Sequence, residues 1–98
     1  MISGTYGSAA LEALHRSRDE LARELRLPSR ELDDRLRDLA DILVHAEPWA
    51  GSIERAYEWF LAQPLPSFGG KTAADLFRAG RADALKAYLD RVGAGGFA

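Results

Sequence analysis

Residues 29–62 read SRELDDRLRDLADILVHAEPWAGSIERAYEWFLA, and the fold follows from how the apolar letters are spaced. Leu32, Leu36, Leu39, Leu43 and Ala46 recur in alternating steps of four and three, which puts them on one face of a helix; Ile42 and Trp49 widen that face near its end. Ser29 after Pro28 is a natural N-cap whose hydroxyl would accept a free amide, with Glu31, Asp33 and Asp34 where the helix dipole is positive. Pro48 and Gly51 are expected to break the run, and Ser52 to cap a new helix. In that helix Ile53, Ala56, Tyr57, Phe60 and Leu61 fall at i, i+3, i+4, i+7 and i+8, the most regular apolar face in the chain.

Working outward, Leu11, Leu14, Leu21 and Leu25 predict one amphipathic helix from Ser8 to about Arg26, interrupted only where Arg18 takes an apolar slot. Beyond Leu61, Pro64, Pro66, Gly69 and Gly70 mark a loop, and Thr72 with Asp75 resembles a capping box opening a short helix that Gly80 ends. Leu85, Tyr88, Leu89 and Val92 define a last helix, after which Gly93 to Ala98 read as a flexible tail. No segment alternates with period two, so the expectation is an all-α fold: a small bundle of about five helices, two longer N-terminal ones followed by a compact three-helix module. The divisions are a loose arm over 1–7, a helical pair over 8–51, and the module with its tail over 52–98.

A chain of 98 residues holds one modest core, and 47% apolar with 29% charged residues is ordinary globular composition. The formal net charge of −2 gives no global field for nucleic acid, and the missing cysteines remove disulfides, thiolate nucleophiles and the common zinc sites. With no basic flank before an apolar run and no apolar stretch near the ~20 residues that span a bilayer, the expected location is the cytoplasm, with no membrane partner.

GGKT at 69–72 imitates the end of a phosphate-binding loop, but that motif requires glycine at position 65, where Leu stands, and a preceding strand. It reads as a connector. His15 and His45 lie far apart with no second ligand at metal spacing, and the carboxylates around Arg30, Arg35 and Arg37 read as a solvated charged face. Catalytic residues, cofactors and metals are therefore not expected, and the chain is not read as an enzyme. A helix-turn-helix reading stays open for LARELRLPSRELDDRLRDL, where Arg23, Arg26, Arg30, Arg35 and Arg37 would face DNA and make the chain a transcriptional regulator.

The second half supports a sharper reading. Ala56, Trp59-Phe60, Pro64, Phe68-Gly69-Gly70, Thr72-Ala73, Asp75-Leu76-Phe77, Gly80, Leu85, Leu89, Val92 and Gly96-Phe97-Ala98 stand in an order that resembles the toxin-binding domain of the MbcA/ParS/Xre antitoxins. Ala73 replaces the usual proline, Phe60 replaces leucine, and the N-terminal portion is shorter than a complete Xre-type DNA-binding domain, a truncated or degenerate version of one. The resemblance implies an oligomeric antitoxin of a type II toxin–antitoxin system. Its partner would be a RES-domain toxin that degrades NAD or transfers ADP-ribose, neutralised by obstruction of its active site. Phe68, Gly69, Gly70, Lys71, Thr72, Arg91, Gly95, Gly96, Phe97 and Ala98 are then the residues expected to meet the toxin, with Phe68 at the surface, a free helix N-terminus at Thr72 and Phe97 ordering in the toxin's cleft. The leucine stripes of the first two helices, if left uncovered, would support self-association.

Overall fold

A computed structural model describes residues 5–95, with side chains described over residues 9–92. It contains α1 (Thr5–Glu12), α2 (Arg18–Leu25), α3 (Ser29–Ala50), α4 (Ile53–Ala62), a 3-10 turn (Pro66–Phe68), α5 (Ala73–Arg78) and α6 (Ala82–Gly95). The all-α expectation holds, and no strand occurs among the described residues.

The helix expected from Ser8 to Arg26 is two helices. His15 takes a left-handed conformation (φ 56), and Ser17 opens α2 with a capping box: the Glu20 N–H donates to Ser17 Oγ at 3.1 Å and the Ser17 N–H to Glu20 Oε1 at 2.8 Å. Arg18 thus fills no apolar slot; it is the exposed first residue of α2, paired with Asp33 at 3.0 Å. The end of α2 is also locally determined. Arg26 is left-handed (φ 58), the Leu27 N–H donates to Ala22 O and the Arg26 N–H to Arg23 O, a Schellman closure that turns the chain into Pro28.

The longest helix, α3, begins at Ser29 with Pro28 as its cap, so Ser29 is its first helical residue. Pro48 does not break it. A proline there forfeits one backbone hydrogen bond in the last turns, but Gly51, at φ 105 with its N–H donating to Glu47 O, sets the actual end. This long helix is the spine against which α1, α2, α4 and α6 pack. Leu32, Leu39, Leu43 and Ala46 of its stripe are buried, together with Ala40 and Ile42 on its flank.

One continuous apolar cluster runs from Leu14, Leu21 and Leu25 through that stripe to Tyr57, Phe60, Phe77, Leu85 and Leu89. The leucine stripes of the N-terminal half therefore close on each other within one chain, which removes the uncovered face offered above as a ground for self-association. Polar ties join the same elements. Lys86 of α6 reaches Asp38 at 2.7 Å and Asp41 at 3.3 Å on α3, and Tyr57 donates its hydroxyl to Glu24 Oε1 at 2.7 Å. Burial and that hydrogen bond push the Tyr57 phenol well above its ordinary value.

Two arginines link helix ends. Arg78 Nε donates to Leu25 O at 2.9 Å, at the C-terminus of α2, and Arg35 Nη1 donates to Phe77 O at 2.6 Å, at the C-terminus of α5. Each places a cation where a helix dipole is negative. At the other end of the chain, Gly93, Ala94 and Gly95 complete α6 instead of trailing from it. Glycine costs about 1 kcal/mol in a helix interior but does not forbid it.

Candidate functional surface

The segment between α4 and α5 is a closed turn. Leu65 is buried and donates its N–H to Lys71 O at 2.9 Å, while its carbonyl accepts from both Phe68 and Gly70. Gly69 and Gly70 are consecutive left-handed residues (φ 70 and φ 87), and a Cβ at either would meet nothing within 4 Å. Their glycines are required by backbone angle alone, and the turn stands open above them.

Thr72 then caps α5 as its sequence suggests. The Asp75 N–H donates to Thr72 Oγ1 at 3.1 Å, and the Thr72 N–H donates to Asp75 Oδ2 at 3.0 Å. The helix N-terminus expected to be free is thus occupied by its own capping box. The Thr72 amide, with Arg78 beside it, holds the Asp75 carboxyl below the usual carboxylate range.

Phe68 does not stand free either: it is half-buried, edge to face with Tyr88 at 5.7 Å, and the Arg81 guanidinium lies 5.7 Å from its ring centre. Tyr88 continues into a groove of about 380 Å³, whose walls are Trp49, Trp59, Val92 and the Gln63–Pro66 segment. Trp49 and Trp59 meet edge to face at 5.2 Å, and Trp49 is 39% exposed, the one large apolar side chain so exposed among the described residues. Phe68, Tyr88, Trp59 and Trp49 thus form one aromatic band.

Of the other sequence-selected residues, Gly69, Gly70 and Lys71 are exposed on the turn, Arg91 is exposed on α6 beside Val92, and Gly95 ends that helix. Gly96, Phe97 and Ala98 lie outside the described residues. Arg23, Arg26, Arg30 and Arg37 are exposed, whereas Arg35 is not free: besides Phe77 O, it pairs with Glu31 at 3.0 Å. Arg26 shares a cleft with Thr72, Asp75 and Arg78.

Trp49, placed by its spacing on the apolar face of α3, is exposed, and Trp59 beside it is half-buried; neither is among the residues expected from sequence to meet the toxin. Trp59 lies off the Ile53–Ala56–Tyr57–Phe60 stripe, and Trp49 sits between Pro48 and Gly51 at a helix end; both were signals of partial exposure.

Among the described residues no group of three or more acidic or histidine side chains could hold a metal, and no buried polar side-chain atom lacks a partner. No helix there is long and apolar enough to cross a membrane. What the molecule displays is an aromatic surface on a rigid all-α frame, the form of a protein-binding module. The chain matches the antitoxin Xre/MbcA/ParS C-terminal toxin-binding domain over residues 45–95. It belongs to that antitoxin family, and the matched span includes the whole aromatic band, Trp49 among it. No curated protein and no solved structure matches the chain.

Proposed function

We propose that this chain neutralises a RES-domain, NAD-consuming toxin by binding it directly and covering the way into its active site. The observation that carries the reading is the toxin-binding domain match over residues 45–95, on a module whose exposed features are the turn at Phe68–Thr72 and the aromatic band beside it. The RES identity of the partner is supported by the order of the motifs from Ala56 to Ala98. In this reading Phe68, Gly69, Gly70, Lys71 and Thr72 meet the toxin from the turn, and Arg91, Gly95, Gly96, Phe97 and Ala98 from the end of α6 and beyond.

The turn suits that role because its hydrogen bonds and two left-handed glycines fix it before binding, so little ordering cost opposes association. The test is NAD content in cells expressing the RES-domain toxin proposed as its partner, with and without this chain. Preserved NAD on co-expression supports the proposal, and NAD loss unaffected by the chain refutes it.

A further inference from the structure

The geometry points to the Trp49–Trp59 groove as the seat of a toxin segment that carries an apolar side chain next to an acidic one; this rests on the antitoxin reading and says which surface performs it. Two observations lead there. The groove walls all lie within the toxin-binding domain, at residues 45–95. An exposed tryptophan backed edge to face by a second, with a tyrosine opposite, is the residue chemistry that dominates protein–protein binding energy.

Charge then selects the occupant. Where the band ends at Phe68, Lys71 and Arg81 are both exposed, and neither has an ion-pair partner among the described residues. Every other Lys or Arg near α5 and the start of α6 is engaged: Arg78 holds Asp75 and Leu25 O, and Lys86 holds Asp38 and Asp41. Lys71 and Arg81, beside Phe68 and without an ion-pair partner among the described residues, fit a carboxylate on a segment that runs on from the groove, and the same pair repels a basic one. The Phe68–Lys71 turn and the groove share Pro66 and Tyr88, so one partner segment can lie along both without a break.

Because Trp49 and Trp59 are the chain's only tryptophans and both line the groove, they report on it directly. The chain labelled with 5-fluorotryptophan gives two 19F resonances, assigned with a Trp49→Phe variant, and is mixed with the RES-domain toxin proposed as its partner. In a complex shown to co-elute, the Trp49 resonance is expected to lose its H2O/D2O isotope shift. Trp49→Ala is expected to weaken binding by roughly 30-fold, the scale of an interfacial tryptophan hot spot. Arg81→Glu is expected to weaken it further at low salt than at high salt.

A co-eluting complex in which Trp49 keeps its solvent shift overturns the groove while leaving the antitoxin reading intact. Unchanged binding by Arg81→Glu overturns the acidic character of the occupant. Loss of the solvent shift on concentrating the free chain, with a dimeric mass in light scattering, assigns the groove to a second copy and overturns it as the toxin's seat. Failure of the unsubstituted chain to co-elute defeats the antitoxin reading itself.

Discussion

Replacing Arg35 by Met separates a structural arginine from a DNA-contacting one. The guanidinium donates to Phe77 O at 2.6 Å and, weakly, to Arg78 O at 3.4 Å; it also pairs with Glu31 at 3.0 Å and lies 5.9 Å from the Phe77 ring centre. Methionine keeps an apolar stem of similar reach and removes every one of those polar contacts. A hydrogen bond from a charged group contributes about 1.5–3 kcal/mol, whereas a half-exposed i,i+4 ion pair adds only about 0.3–0.5 kcal/mol. With the Arg35 side chain 24% exposed, water can take over part of the loss, which places the cost near the lower end, about 2 kcal/mol. For a chain of this size that lowers Tm by roughly 8–16 °C. Urea unfolding of Arg35→Met beside Arg37→Met is the assay, since Arg37 is exposed and its loss should cost less than about 0.5 kcal/mol. Equal stability of the two variants would refute the helix-linking role of Arg35 and return it to the candidates for binding DNA.

Gly69→Ala and Gly70→Ala should each destabilise by about 1 kcal/mol from backbone strain alone, because a Cβ at either site meets no neighbour; calorimetric Tm values check this, and a neutral result would contradict the left-handed assignment. Asp75→Asn should cost about 0.5 kcal/mol at pH 7 through loss of the charge at the start of α5. The folded Asp75 carboxyl is held below its ordinary value, so its contribution is present above about pH 4 and fades as pH falls through the depressed folded value. The stability gap between the parent and Asp75→Asn, followed by urea titration, should therefore close on acidification; a gap that widened would have the sign wrong. The Tyr57 phenol is raised, so its contribution is present below about pH 10 and lost above it, and stability measured by urea unfolding should decline on the alkaline side less in Tyr57→Phe than in the parent.

Much of this fold is legible in local spacing. The Ile53–Ala56–Tyr57–Phe60 face, the Ser52 cap and the Thr72–Asp75 box are short-range patterns, and all three appear where the residues place them. The break at His15–Ser17 was hidden because the leucine spacing runs across it; only the reciprocal Ser17–Glu20 bonds reveal it. Pro48 misleads for the opposite reason, since a strong breaker near a helix end forfeits a single bond and can be carried to the glycine that follows. The roles of Arg35 and Arg78 were not readable, because each meets backbone carbonyls more than forty positions away in sequence. At the candidate surface, the turn glycines announced themselves, while the aromatic band did not: it joins Trp49, Trp59, Phe68 and Tyr88 from three helices and a turn, a juxtaposition only tertiary packing creates.

The most direct measurement is NAD turnover by the purified RES-domain toxin proposed as the partner, titrated with the chain and followed by size-exclusion chromatography of the same mixture. A single co-eluting species is expected, with turnover that falls to background as the chain saturates the toxin. Separate elution with undiminished turnover would contradict the proposed neutralisation.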